Sequence, residues 1–353
     1  MTTGSELGLL RLVAQRIAGA GCTTAGEAVR WMGALQAQDY RGALASVALR
    51  TRNRTVDAVE GGLTAGEFVR SWPRRGTLHL VAAEDLGWML ELTAPRMLAS
   101  TTTRRAQLDL DAPAVELARE VAVQVLQGGR QLRRKELFAE WEAAGLATTG
   151  QRGYHLLYHL AQTTTVCFGP VRGGEQLLVG VEEWIRRPRR LEREEALGEW
   201  AVRYFRSHGP ATVKDFTRWT NLLAVDVRAG VALARPQLAS ITVDNTEYLM
   251  DPRTPELLDA CRRRARGVLL LPGFDEFILG YQDRSAVLPA EFAAHIVPGG
   301  NGMFRPTVIS KGRVVGTWKH AGSGARRGVD ATPFTTFSDP LAKAIVRAHA
   351  ALP

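Results

Sequence analysis

Thr165-Val166-Cys167-Phe168-Gly169-Pro170-Val171-Arg172-Gly173-Gly174-Glu175-Gln176-Leu177-Leu178-Val179 reads as two short apolar strands on either side of a glycine-rich loop. Two helical segments stand directly before it, Leu132 to Ala144, ended by Gly145, and Thr149 to Gln162. Helix, helix, hairpin is the order of a winged helix, and working outward the same order recurs less sharply on both sides. Upstream, Leu9, Leu12, Val13 and Ile17 form an apolar stripe that predicts a helix over residues 6–18, stopped by Gly19 and Gly21. Thr24 with Glu27 three residues on is a capping box that starts a second helix running to Leu35. Helices over Gly42 to Arg50 and Val56 to Leu63 follow, then strands Glu67 to Trp72 and Thr77 to Val81 joined by Pro73-Arg74-Arg75-Gly76. Downstream, a helix from Arg193 to Ser207 breaks at Gly209-Pro210. Helices Thr212 to Trp219 and Val225 to Ala234 and strands around Leu238 to Val243 and Glu247 to Met250 complete a third unit.

Beyond Gly267 the chain turns strand-rich, with Val268 to Leu271 and a hairpin from Pro306 to Lys319 turning at Lys311-Gly312, and ends in a helix over Pro340 to Ala350. The expected fold is therefore α+β: three tandem winged-helix units followed by a β-rich, barrel-like C-terminal domain. The expected boundaries are 1–125, 126–190, 191–264 and 265–353, with the Pro188-containing run Ile185 to Arg190 as a natural linker.

Composition sets the class of partner. The 353 residues are 45% hydrophobic and 23% charged, as in ordinary globular chains. Cys22, Cys167 and Cys261 lie far apart with no CxxC pair, which argues against a zinc site or disulfide framework and fits a reducing, cytoplasmic setting. No signal peptide is visible, and no stretch approaches the roughly 18 apolar residues of a membrane helix. The net charge is +9, and with only five lysines, 40 of the 45 basic residues are arginine. They cluster at Arg74-Arg75, Arg104-Arg105, Arg133-Arg134-Lys135, Arg186 to Arg190, Arg262 to Arg266 and Arg326-Arg327. Any single cluster reads as a solvated helix end; together they favour a polyanionic partner such as DNA, whose phosphates release counterions when neutralised.

Enzyme signatures are sparse: no GxSxG, P-loop, HExxH or GxGxxG follows a strand. His155 and His159 share a helix face at i, i+4 spacing, but without a third ligand the reading of two polar residues facing phosphate or solvent is preferred to a metal site, and no metal or other cofactor is expected. Asp275, Glu276 and Asp283 read either as a carboxylate pair or as caps paired with arginines.

The oddest stretch is Leu35-Gln36-Ala37-Gln38-Asp39-Tyr40, where amides stand two apart in an otherwise apolar context. Residues i and i+2 of an extended link project to one side, so both amides can face one cavity, where each needs a hydrogen-bond partner. Together with Ser71-Trp72-Pro73-Arg74-Arg75-Gly76-Thr77-Leu78-His79-Leu80 and Leu271 to Ser285, this stretch resembles the bacterial AlkZ/YcaQ winged-helix DNA glycosylases over nearly the whole chain. The resemblance implies removal of N7-alkylated purines, unhooking of interstrand crosslinks, and catalytic roles for the two glutamines of a Gln-aliphatic-Gln motif, here Gln36 and Gln38, as in the AlkZ-like branch. Ala37 is a smaller filler than that motif's aliphatic residue.

An N7-alkylated purine is cationic and leaves as a neutral base, so what remains is to place a water at the anomeric carbon and tolerate an oxocarbenium-like transition state. Two amides can position that water without deprotonating it, and Asp39 is the reserve base. No lysine lies near the motif, so a Schiff-base lyase step is not expected and the enzyme is read as monofunctional. Candidate DNA contacts are Arg41, Arg74, Arg75, His79, Arg152, Arg172, Lys311, Arg313 and Lys319, with the wing at Pro73 to Gly76 or the hairpin at Lys311-Gly312 probing a groove. The expected partner is double-stranded DNA carrying N7-alkylpurine lesions or crosslinks, bound by a monomer at the nucleoid, either in general repair or in self-resistance to a DNA-alkylating natural product. Two other classes compete: a winged-helix transcription regulator, whose usual symmetric dimer sits poorly with three fused modules, and a resistance protein that sequesters the alkylating drug.

Overall fold

The computed structural model describes residues 4–322 and 328–353. The Arg326-Arg327 cluster lies outside the described residues. The chain folds into two compact units, one made of Met1–Val59 with Leu197–Pro353 and one of Glu60–Ala196.

The first unit begins with α1 (Gly4–Ala14), α2 (Ala25–Met32), the two-residue strand β1 (Leu35–Gln36) and α3 (Tyr40–Leu49). Helix α4 (Val56–Thr64) leads out of it. The expected capping box is present, with Glu27 N donating to Thr24 Oγ1 at 3.1 Å and Thr24 N to Glu27 Oε2 at 3.4 Å. Helix α2 stops at Met32 rather than Leu35, because Gly33 takes φ 75° and closes the helix by donating to Val29 and Arg30 carbonyls. The Gln-Ala-Gln stretch is thereby released from the helix end into an extended link. The chain re-enters the unit through α11 (Arg193–His208), then α12 (Val213–Thr220), α13 (Ala224–Ala234), the hairpin β6 (Ala239–Val243) and β7 (Thr246–Met250), and α14 (Thr254–Ala265). The rest comprises β8 (Val268–Leu271), α15 (Glu276–Leu279), α16 (Ala293–Ile296), β9 (Thr307–Ser310), β10 (Arg313–Ala321), β11 (Gly328–Pro333) and α17 (Asp339–Ala350).

Strands β11, β10, β9 and β8 form an antiparallel sheet in that order. Among the described residues it is an open sheet and does not close into the barrel expected of this region. Four short strands are too few to curl edge to edge; instead Ile345 of α17 covers Leu270, Val308 and Trp318 on one face. Leu9, Leu12 and Val13 of α1, Leu258 of α14 and Ile309 of the sheet share a second core with Phe277 and Ile278. That shared core seats α15 and the residues around it.

The second unit holds β2 (Phe68–Arg74), β3 (Thr77–Ala82), α5 (Leu86–Ser100), α6 (Thr102–Gln107), α7 (Ala112–Leu126), α8 (Arg134–Ala143), α9 (Arg152–Gln162), β4 (Val166–Arg172), β5 (Glu175–Gly180) and α10 (Val181–Trp184). Its two hairpins are longer than the sequence suggested, and their turns shrink to Arg75-Gly76 and Gly173-Gly174, all four residues at positive φ, the two-residue turn that matches strand twist. Pro73 and Pro170 stay inside the strands because each falls where the register shifts, so its missing N–H removes no ladder bond. The hairpins do not stand apart as free wings. Strand β2 pairs with β4, Arg70 opposite Phe168, so the two merge into one sheet in the order β3, β2, β4, β5. Trp72, Trp141, Leu156 and Leu178 anchor the core beneath it.

Candidate active site

Gln36 is 5% exposed, Ala37 is fully buried, and Gln38 is exposed. Alternation in the extended link accounts for this, sending Ala37 into the core and both amides to the other side. Gln36 Nε2 donates to Gln38 Oε1 at 2.6 Å, and Gln38 N donates to Gln36 Oε1 at 3.1 Å. Each side-chain oxygen accepts one bond and keeps a second lone pair. The neighbouring Asp39 has a different occupation. Its Oδ1 accepts from Gly42 N at 3.1 Å and caps α3, and a Cβ at Gly42 would approach Asp39 Cγ to 3.0 Å, so the cap needs a glycine there.

The amide pair stands on a buried polar cluster built from Leu271 to Ser285. Gln36 N donates to Glu276 Oε1 at 3.1 Å across 240 residues of sequence. Trp219 Nε1 donates to Glu276 Oε2 at 2.9 Å, and His208 Nε2 lies 3.5 Å from the same oxygen. Asp275 accepts from Arg50 Nη1 at 2.8 Å, Arg50 Nη2 at 3.0 Å, Ser46 Oγ at 2.6 Å and Phe277 N at 2.9 Å. Gln15 bridges the two carboxylate residues by accepting from Arg50 Nη2 at 2.7 Å and donating to Tyr281 Oη at 3.0 Å and the Glu276 carbonyl at 3.3 Å. Burial pushes the Tyr281 phenol well above its ordinary range, so it keeps its proton and donates to the His208 carbonyl at 2.7 Å. Arg11 lies 3.7 Å over the Tyr281 ring, a desolvated cation–π contact. Asp275 and Glu276 are thus not a reacting carboxylate pair; one caps α15 and binds an arginine, the other holds the Gln36 backbone. Asp283 closes a turn with Ser285 N at 2.8 Å; burial alone would raise its carboxyl, but the Ser285 hydrogen bonds outweigh that and lower it.

The family model that describes AlkZ-like DNA glycosylases matches residues 29–353. The chain belongs to the AlkZ-like DNA glycosylases. These are hydrolases of N-glycosyl bonds. A curated relative, the interstrand DNA cross-link repair glycosylase of Streptomyces sahachiroi, is 27% identical over 307 residues, covering 81% of this chain and 79% of the relative. The solved structure of Streptomyces sahachiroi DNA glycosylase AlkZ superposes with a TM-score of 0.82 at 23% identity, covering 99% of this chain and 95% of that one, a likeness of fold.

In this AlkZ-like glycosylase the expected DNA contacts divide by exposure. Arg41, Arg172, Lys311, Arg313 and Lys319 are exposed, and Arg75 and Arg152 are half-buried. Arg74 and His79 are fully buried, and His79 Nδ1 lies 2.7 Å from the Thr77 carbonyl, so of the arginine pair expected to tip the wing only Arg75 reaches the surface, and the candidate contact His79 does not. Both buried residues lie on strands of the merged sheet, where side chains are covered. Arg152 ties its guanidinium to the Ala147, Leu108 and Asp109 carbonyls, and Arg172 reaches Gln131 Oε1 at 3.1 Å. The Lys311-Gly312 turn is not a free probe either. Gly312 is buried, and a Cβ there would come within 2.8 Å of Leu9 N, so the tip is seated on α1 while Lys311 and Arg313 flank it in solvent.

Several arginine clusters are engaged internally: Arg105 Nη1 with His159 Nδ1 at 3.1 Å, Arg133 with Glu136 and Glu175, Arg189 with Asp85, and Arg262 with Glu6 and Asp259. No group of three or more His, Cys, Asp or Glu side chains suited to a metal occurs among the described residues. No helix among them is long and apolar enough to cross a membrane. The residues that sequence reasoning missed are Gln15, Arg50, His208 and Trp219. Their signal was indirect: charges at Asp275-Glu276 inside an apolar run require buried partners.

Proposed function

We propose that this enzyme is a monofunctional glycosylase that hydrolyses the N-glycosidic bond of N7-alkylated purines in duplex DNA and unhooks interstrand crosslinks, with Gln36 and Gln38 holding the attacking water. The observation that carries the reading is the amide pair itself: two side chains joined to each other, one buried and one exposed, on a link tied to a buried carboxylate. With one bond each already accepted, the two oxygens have their remaining lone pairs for a water, and both oppose the positive charge that develops at the sugar.

In the reaction the C1′–N9 bond breaks and its electron pair neutralises the cationic purine, which departs as a free base. Water adds to C1′ and its proton passes to solvent, leaving an abasic site. No general acid is needed, because the leaving group is already cationic. Asp39 stays outside the reaction, since its carboxylate caps α3. The crosslink part of the reading is supported by the name of the Streptomyces sahachiroi relative. A crosslinked purine is tethered to the opposite strand and cannot swing fully out of the helix, which suits a shallow amide pair reaching solvent at Gln38 better than a deep base pocket.

Three winged-helix modules remain our reading of the element order, most plainly α8, α9, β4 and β5 and again α12, α13, β6 and β7. DNA contacts are assigned to the accessible basic side chains, Arg41, Arg75, Arg172, Lys311, Arg313 and Lys319, which would position the duplex through phosphates. Release of free 7-methylguanine from alkylated duplex DNA tests the proposal. Gln36→Ala with Gln38→Ala should abolish release while leaving DNA affinity largely intact; persistence of activity refutes it. A panel of small and bulky N7 adducts, singly attached and crosslinked, then separates general repair from resistance to one natural product.

A further inference from the structure

We infer that Glu276 is a positioning residue for the glutamine pair, setting the direction in which Gln36 presents its amide by fixing the Gln36 peptide from behind. The inference rests on the reading of Gln36 and Gln38 as the water-holding pair and adds a residue from the far end of the sequence to it.

A fully buried carboxylate is costly to fold around unless it is hydrogen-bonded, and Glu276 is fully buried. Its two oxygens face different elements. Oε1 accepts from Gln36 N, while Oε2 accepts from Trp219 Nε1 and lies 3.5 Å from His208 Nε2. Trp219 and His208 come from α12 and α11 and pack on one another with ring centroids 5.2 Å apart, so Oε2 is held by an aromatic wall and Oε1 is aimed by default at the link. The backbone of Glu276 is fixed as well: its carbonyl accepts from Gly280 N at 2.8 Å and from Gln15 Nε2 at 3.3 Å. Gly280 cannot carry a side chain here, because a Cβ would lie 2.6 Å from that carbonyl and 2.6 Å from His208 Cδ2.

Strand β1 is two residues long, between the left-handed Gly33 and the Asp39 cap. The plane of the peptide at Gln36 N sets the Cα–Cβ direction and hence where both amides point. Positioning on this scale matters for rate, since misplacement by about 1 Å can cost about 10²-fold. Glu276 is fully buried, so its contribution is made through Gln36 and not by contact with substrate.

The test compares Glu276→Ala, Glu276→Gln and Trp219→Phe in the full chain on a duplex carrying 7-methylguanine. Single-turnover base release at saturating enzyme, duplex Kd and Tm are measured for each. Glu276→Ala should release base about 10²-fold more slowly at unchanged Kd. Glu276→Gln keeps an oxygen for the Gln36 N–H and should recover at least about tenfold of that loss, which a purely structural role would not predict. Trp219→Phe removes the donor on Oε2 alone and should lower Tm while holding the rate within about threefold. The inference is overturned if the folded Glu276→Ala protein releases base at the wild-type rate. It is also overturned if rate follows Tm across all three variants, or, where Glu276→Ala does not fold, if folded Trp219→Phe, which leaves the Oε1 bond to Gln36 N in place, slows release by about tenfold or more. Activity surviving in Gln36→Ala with Gln38→Ala would instead remove the reading beneath it, whereas an inactive double variant beside a fully active Glu276→Ala removes the inference alone.

Discussion

Replacing Asp275 with alanine should unseat the platform under the glutamine pair, and its cost can be worked from the contacts it makes. The Asp275 carboxylate accepts from both Nη atoms of Arg50 at 2.8 and 3.0 Å, from Ser46 Oγ and from Phe277 N. The Arg50 side chain is 0% exposed, so Asp275→Ala strands a guanidinium where water cannot replace the lost partner. Breaking a buried ion pair from one side costs about 3–5 kcal/mol, the larger part being the uncompensated charge and not the attraction given up. At about 2–4 °C per kcal/mol for a unit of this size, Tm should fall by about 6–20 °C. The companion Arg50→Met with Asp275→Leu removes both charges. It should regain at least half of that loss, short of all of it because Ser46 and Gln15 each lose a partner. Calorimetric unfolding of wild type, Asp275→Ala, Arg50→Met, Asp275→Leu and the Arg50→Met, Asp275→Leu double variant measures the loss and closes the cycle. A cost below about 1 kcal/mol for Asp275→Ala, or a double variant no more stable than Asp275→Ala, would refute the idea that the pair is a desolvated charge cluster supporting the site.

Other outcomes follow from the same structure. Because amides do not titrate, single-turnover base release at saturating enzyme should stay level from about pH 6 to pH 9, and a rise of tenfold per pH unit would show that a titrating base takes the water's proton. Burial, and then Arg105, lower the pKa of His159 below its ordinary 6.5, so the unfolded chain binds more protons than the folded one beneath that value. Stability is therefore full above that pH and falls as pH drops below it, and His159→Gln should flatten the dependence in urea unfolding measured from pH 7 to pH 5. Burial pushes the Cys167 thiol up to about 12, so maleimide at pH 8 should modify the half-buried Cys22 and Cys261 and spare Cys167 until the chain is unfolded, as peptide mapping would show.

Much of the fold was legible where a residue acts on its own neighbours. Thr24 and Glu27 make their capping box, and the hairpins turn where glycines allow positive φ, at Arg75-Gly76, Gly173-Gly174 and Lys311-Gly312. What escaped depends on partners far along the chain. Residues 83–131 carry α5, α6 and α7, which the sequence reading left unassigned although the Asp111 cap and Pro113 mark the start of α7, and α14 was hidden behind its run Arg262-Arg263-Arg264, which read as a basic patch. Arg74 looked like part of a charged wing tip and His79 like a DNA contact because nothing local shows that β2 will pair with β4 and be covered. The strangeness of Gln36 and Gln38 was legible, since two amides in an apolar stretch demand partners; that Gln36 would donate its amide to Gln38, and its backbone N–H to the carboxylate of Glu276, was not.

The division of labour in the platform fits the proposed reaction, in which charged residues stand close to a cationic purine that leaves as a neutral base. A carboxylate in contact with the cationic purine would hold it in the ground state, where its charge is full, at least as tightly as in the transition state, which does not raise the chemical step. Asp275 avoids this by closing its charge on Arg50, and Glu276 by accepting from Gln36 N and Trp219 Nε1 beneath the surface. Only the neutral amides are carried forward, and of those only Gln38 is exposed. In the proposed reaction their dipoles are fixed before substrate arrives, so they would oppose the positive charge developing at the sugar without first reorganising. On the proposed reading the buried anions supply rigidity, and the amides above them supply the polarity that would meet the lesion.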